Sequence, residues 1–257
     1  MARDQKDHYY RKAKEDGYRA RSAYKLQQIN QKFHIIKKGD AVIDLGAAPG
    51  GWLQVAKQIS GGKVIGVDVE AIEPIPGVIT LKADLTNSST IDLVREHLGG
   101  NADVVICDAS PNLTGAWNLD HARSIDLARS GLELAKQLLK PGGDFLVKVF
   151  QGDMFEDFLS DVRNEFSRVK AYSPPASRKQ SAEIYLIAKN LLSGPVRRGE
   201  IHEVEIEALG KSGDGIAMID GFAVIIKGAT LGEKLKVKIS SVKSNFAFAE
   251  IMQKINK

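Results

Sequence analysis

The chain has 257 residues and a formal net charge of +4, long enough for one sizeable core and a smaller second one at about 100 to 200 residues per domain. It contains no apolar run of the roughly 18 residues a membrane helix needs, and its opening, MARDQKDHYYRK, is charged where a signal peptide would be apolar; a cytoplasmic protein with no membrane partner is expected. Cys107 is the single cysteine, which excludes a disulfide framework and a thiolate metal site, and no metal is expected.

Charge is unevenly spread along the chain. Residues 1–40 carry eleven Lys or Arg against five Asp or Glu, residues 41–190 carry fifteen against nineteen, and from Lys227 onward there are seven cations and two anions. Basic ends around a slightly acidic middle predict a polyanion held from two sides. In chain order, the helical period of RARSAYKLQQINQKF (19–33) predicts a helix before the first strand. Strands are then predicted at 41–45, 63–68, 78–84, 103–108, 144–150, 169–172 and 183–189, each short and rich in β-branched residues. Between them lie helical stretches such as WLQVAKQIS and DHARSIDLARSGLELAKQLLK, the latter stopped by Pro141-Gly142-Gly143. Strand and helix in alternation predict an α/β fold, a mainly parallel, Rossmann-like sheet with helices on both faces. LLSGPVRRGE (191–200) reads as a linker, and beyond it five short strand-like runs separated by glycine turns predict a small all-β, OB-like barrel. The predicted domains are 1–190 and 195–257.

After the first strand comes DLGAAPGGW, residues 44–52. In an open parallel sheet, glycines at this position let the backbone approach a nucleotide-like ligand. The second position of a dinucleotide fingerprint is Ala48 here, and Pro49 has no amide donor, which argues against a pyrophosphate. Asp68, at the end of the second predicted strand, is placed for a ribose, and Asp84, at the end of the third, for the attached base. An adenosine with an amino-acid tail fits this set, and S-adenosylmethionine is that molecule. Trp52 is either a core anchor or a wall of the cofactor pocket.

The run GDFLVKVFQG sets Lys148 in the middle of an apolar strand, where an ammonium is strongly disfavoured unless it serves a site. Asp108 and Lys148 end neighbouring predicted strands and enter the same crevice. Taken in order, RSAYKL (21–26), VIDLGAAPGGW (42–52), CDASPNLTG (107–115), LVKVFQG (146–152) and SRKQSAEIY (177–185) resemble the FtsJ family of RNA ribose 2'-O-methyltransferases. The resemblance covers about residues 8–190. It implies a catalytic tetrad on Lys25, Asp108, Lys148 and Glu183, and cofactor contacts at Gly50, Trp52, Asp68, Asp84 and Asp108. It also implies S-adenosylmethionine as cofactor and a ribose, of a uridine in 23S large-subunit ribosomal RNA, as the methyl acceptor, with the assembled subunit as a further partner and a monomeric enzyme. The family often reads D-M-A-P where this chain has Asp108-Ala109-Ser110-Pro111, so the pocket wall differs slightly. Lys148 is either a general base or a charged group that orients the hydroxyl. Transfer RNA as target, and a noncatalytic RNA-binding assembly factor, are the rival readings.

The segment DHYYRKAKEDGYRARSAYK interleaves four tyrosines with basic residues, a pattern that suits phosphates and unpaired bases, or a tyrosine cluster inside the core. Arg178 and Lys179 are placed to add phosphate contacts. Residues 195–253 look like a TRAM domain, which implies RNA binding with Lys234, Lys236, Lys238 and Lys243 as phosphate contacts. Phe246 and Phe248 point the same way, and the core is the expected direction, with a stacking platform as the alternative.

Overall fold

The computed structural model describes residues 8–178, 181–243 and 245–255. Two helices, α1 (His8–Glu15) and α2 (Ala23–Phe33), precede the first sheet. Ala23, Leu26 and Ile29 line the buried face of α2 at the spacing of one helical stripe. The helix starts four residues later than its periodicity predicts, because Arg19 is engaged elsewhere: its amide donates to the Gln54 side chain at 2.9 Å.

The chain then lays down β1 (Val42–Leu45), α3 (Gly51–Ser60), β2 (Val64–Asp68), β3 (Ile79–Lys82), α4 (Ser89–Leu98), β4 (Ala102–Cys107), α5 (Trp117–Leu138), β5 (Leu139–Phe150), α6 (Phe155–Glu165), β6 (Phe166–Tyr172) and β7 (Glu183–Leu191). They form a seven-stranded sheet of order β3-β2-β1-β4-β5-β7-β6. The first five strands are parallel, whereas β7 is inserted antiparallel between β5 and β6. Side chains alternate between faces along each strand, and two cores result. Ile43, Val105, Phe145 and Val147 pack with Val94, Ile125 and Phe158 of α4, α5 and α6. Val42, Ile106, Leu146 and Tyr185 pack with Leu26 and Ile29 of α2 and Leu53 of α3.

The long helix does not run to the predicted stop at Pro141. It ends at Leu138, because Leu139 is extended (φ −76°, ψ 146°) and pairs at once with Ala102 of β4. Pro141-Gly142-Gly143 instead form an irregularity within β5, with Gly142 at φ +79°. Among the described residues no helix is long and apolar enough to cross a membrane.

The second sheet comprises β8 (Ile201–Glu205), β9 (Ala208–Leu209), β10 (Gly215–Ile219), β11 (Phe222–Ile226), β12 (Lys234–Val242) and β13 (Phe246–Lys254), in the order β8-β12-β13-β11-β10-β9. The first of the five strand-like runs beyond the linker, residues 201–209, is therefore two strands, and they lie at opposite edges of the sheet. Laid flat, six strands would separate those edges by roughly 24 Å, but only Ile206 and Glu207 join β8 to β9, and so short a link spans at most about 11 Å. The sheet must therefore curl nearly onto itself. Its interior holds Val204, Ala217, Val224, Leu235, Val237, Ala247 and Ala249. Phe246 and Phe248 face outward instead, against the expectation; Ala247 and Ala249 take the inward positions, as a tightly curled interior favours small side chains.

Candidate active site

Alternation fixes what the carboxyl end of the first sheet presents. Asp44, Leu146, Lys148 and Tyr185 share the face covered by α2 and α3, and α2 carries Lys25 to that face. β5 lies between β4 and β7, so Lys148 has Asp108, one residue past β4, on one side and Tyr185, its register partner, on the other.

Lys148 is 5% exposed. Its Nζ donates to the Asp108 carbonyl at 2.8 Å and lies 3.3 Å from Asp108 Oδ1. Tyr185, fully buried, donates its hydroxyl to the same Oδ1 at 3.0 Å. Burial and the Asp108 and Glu183 charges hold that phenol well above its usual range. Lys25, 8% exposed, pairs with Glu183 Oε2 at 2.7 Å and lies 5.7 Å above the Tyr185 ring. Burial alone would raise the Glu183 carboxyl, but Lys25 and then Lys148 outweigh it and hold the group below its ordinary range. The four predicted catalytic residues are thus brought together as two ion pairs joined through Tyr185. Sequence reasoning assigned Tyr185 no role, although its i+2 spacing from Glu183 on a strand was the available signal.

The glycine turn lies beside them. Gly46 has φ +74°, and a Cβ there would sit 2.5 Å from Ala109 Cα, so only glycine lets the turn pass the backbone that carries Asp108. Gly50, at φ +107°, precedes α3. Asp68 accepts the Ala48 amide and the Glu70 amide, each at 2.9 Å, which leaves the second lone pair of each oxygen for a ligand. Asp84 is exposed, and Oδ1 accepts the amide and hydroxyl of Thr86 at 2.8 Å; these bonds lower its pKa. Trp52 is 3% exposed, donates Nε1 to the Ser22 carbonyl at 2.8 Å and stands 5.8 Å from the Tyr185 ring. It is therefore buried beside Tyr185 and braces the segment leading into α2.

Two further residues escaped the sequence reading. Asp44 has no exposed surface, and neither carboxylate oxygen has a hydrogen-bond partner; burial first, then the Asp108 and Asp68 charges, push its pKa well up. Such a group is costly unless something binds it. Arg19 donates to the carbonyls of Pro49, Glu73 and Pro74 at 3.1, 2.6 and 2.8 Å, so it clamps the glycine turn where its basic charge suggested a phosphate contact. Cys107 is buried and its thiol is pushed up to about 12 by burial, which leaves it inert.

In the N-terminal segment Tyr9 packs tilted against Tyr24 at 5.4 Å and Tyr18 packs edge to face against it at 5.7 Å, and Tyr10 is exposed beneath Lys14. Arg178 is exposed. Lys179 lies outside the described residues. Lys234, Lys236 and Lys238 alternate with buried Leu235, Val237 and Ile239 on β12, and Lys243 is exposed just beyond it.

Residues 18–191 match the FtsJ-like methyltransferase family and residues 195–252 the TRAM domain. The chain belongs to the FtsJ-like methyltransferase family. That family works with an S-adenosylmethionine-type cofactor. Among curated relatives, the Ribosomal RNA large subunit methyltransferase E of Methanothrix thermoacetophila is 65% identical over 99% of this chain and 100% of its own length. The protein of that name from Natronomonas pharaonis is 48% identical over 96% and 99%. A crystal structure of a Plasmodium falciparum protein described as a ribosomal RNA methyltransferase shares 28% identity and a TM-score of 0.63, covering 68% of this chain and 98% of its own.

Proposed function

We propose that this protein transfers a methyl group from S-adenosylmethionine to the ribose 2'-hydroxyl of a uridine in 23S ribosomal RNA, within or on the way to the large ribosomal subunit. The observation that carries this reading is the buried Lys148 side chain held between Asp108 and Tyr185, with the Lys25–Glu183 pair beside it. The names of its relatives support ribosomal RNA as the acceptor. All four tetrad side chains come from one chain, which suits a monomer. The boundaries proposed are 1–190 for the catalytic domain and 195–257 for the TRAM-like domain.

The residues present fit the cofactor. Asp44 offers a buried carboxyl without a partner, suited to the ammonium of an amino-acid tail. Asp68 retains acceptor capacity for ribose hydroxyls, Asp84 is assigned to the base, and Gly50, Trp52 and Asp108 supply the remaining contacts. S-adenosylmethionine, when bound, supplies an electrophilic methyl carbon on a positively charged sulfur. Lys148, in its neutral amine form, accepts a hydrogen bond from the 2'-hydroxyl and takes its proton as the oxygen gains the methyl. Asp108 fixes the direction of that amine, while Lys25 and Glu183 hold the ribose and balance charge. Arg178, Lys179, Lys234, Lys236, Lys238 and Lys243 contact phosphates, and the outward Phe248 offers a base a stacking surface.

The test incubates the protein with radiolabelled S-adenosylmethionine and unmodified 23S transcript or large subunits, then maps ribose bonds that resist alkaline cleavage. Label at one alkali-resistant uridine is expected; label on a base would refute the assignment. Lys148→Ala should bind cofactor normally and lose at least about 100-fold in methyl transfer. Lys148→Arg, which can orient an oxygen but cannot take its proton, should be equally inactive.

A further inference from the structure

The proposed reaction does not use the aromatic group at the start of α5. Trp117 is 49% exposed, although it lies nearly parallel to two buried rings: His121 at 5.9 Å and 14°, and Phe150 at 6.0 Å and 21°. His121 and Phe150 are 5% and 7% exposed, so they form the underside of the stack. A tryptophan covered on both faces would not keep half of its surface in water, so the outer face of Trp117 is open. Leu113, at 65%, and Leu119, at 44%, are also exposed in the same stretch.

The stack is built firmly and close to the chemistry. Phe150 is two residues beyond Lys148 on β5, roughly 7 Å along the strand, which is about the reach of one neighbouring nucleotide. His121 Nε2 accepts the Met154 amide at 3.2 Å, and a Cβ on Gly152 would meet the same ring atom at 2.7 Å. The loop leaving β5 is therefore fitted around the imidazole. Asp120 accepts the amides of Thr114 and Gly115 at 2.8 and 3.0 Å, which ties the loop after Asp108 to the same helix start. A rigid, open indole next to a ribose-modifying group is the arrangement that stacks an unpaired base.

We infer that Trp117 is a positioning residue for the substrate, stacking on an unpaired nucleobase adjacent to the methylated nucleotide. This deepens the proposed RNA reading and rests on it. The first test is fluorescence. Of the two tryptophans, Trp52 is buried, so adding unmodified 23S transcript to the full-length protein should quench emission from Trp117. Trp117→Phe should lose most of that quench. Equal fractional quenching in the two proteins would overturn the inference, and this comparison stands even if Trp117→Ala does not fold.

The second test is binding. Trp117→Ala should weaken transcript binding roughly tenfold with cofactor affinity unchanged, and Trp117→Phe should restore most of it. Transcript binding within twofold of the parent protein would refute the platform. Quenching by assembled large subunits but not by the transcript would assign the face to a protein contact and also overturn it. A parent protein that binds and quenches but leaves ribose unmethylated would sink the methyl-transfer reading and leave the platform standing.

Discussion

Asp44 lies on β1 between two parallel neighbours, with no water contact and no hydrogen bond to either oxygen. Burial first, then the Asp108 and Asp68 charges, raise its pKa well above the usual range, so between about pH 4 and that raised value the native state keeps a proton that the unfolded chain releases. The stability this group contributes is complete below about pH 4 and is lost as pH rises toward the raised native value. Asp44→Asn cannot ionise. Relative to the parent, the cofactor-free variant should gain stability across that window at up to about 1.4 kcal/mol per pH unit, while the two converge below about pH 4. Urea titrations over a pH series will show this, and a constant difference would refute it. The same variant should bind S-adenosylmethionine more weakly, since a bound ammonium favours the ionised form of the Asp44 carboxyl, which an amide cannot adopt. Asp44 was not singled out from the sequence because VIDL reads as a uniform strand; only burial on both sides exposes the missing partner.

Two elements carry the geometry of the site, the glycine turn after β1 and the antiparallel strand β7. The turn was legible in DLGAAPGG as a ligand cradle, but the contact that makes Gly46 obligatory, with the Ala109 backbone, joins residues far apart in sequence. Gly46→Ala should cost at least about 1 to 2 kcal/mol for the left-handed backbone alone, a fall of roughly 2 to 8 °C in melting temperature for a domain of this size. It should also push the Asp108 segment away from Lys148 and lower the rate of methyl transfer. A variant melting within a degree of the parent would show that the turn relaxes freely. β7 was predicted as a strand, but not its place. Because it runs antiparallel, it starts where β5 ends, and Glu183 faces Phe150 while Tyr185 faces Lys148. A parallel strand would have put Glu183 at the opposite edge of the sheet.

Across the whole molecule, a catalytic sheet with its own two cores is joined to a curled six-stranded sheet with a third. Arg197, in the connection, donates to Glu165 at 3.1 Å, and the Leu192 amide donates to the Glu165 carbonyl at 2.8 Å, so the connection is anchored to the end of α6. In the proposed reading, basic residues at both ends of the chain act on one polyanion. Lys238 and Lys243 are exposed, whereas Lys234 pairs with Glu205 at 3.4 Å. Replacing both Lys238 and Lys243 by Ala should reduce the slope of log affinity against log salt for transcript binding by about 1.5, with cofactor binding unaffected. An unchanged slope would remove these two lysines from the RNA interface.

The sequence by itself determined the alternation of strands and helices and the glycine turn after the first strand, because periodicity and short motifs are local properties written in consecutive residues, and its ordered motifs pointed to the four side chains that the fold brings together. Tertiary structure alone decided that Tyr185 links the two ion pairs, that Asp44 is left without a partner, that Trp52 is buried against Tyr185 and that Phe246 and Phe248 face outward. Each of these depends on which strands become neighbours and how tightly a sheet curls. Both are set by packing between residues distant in the chain, about which a local pattern carries no information.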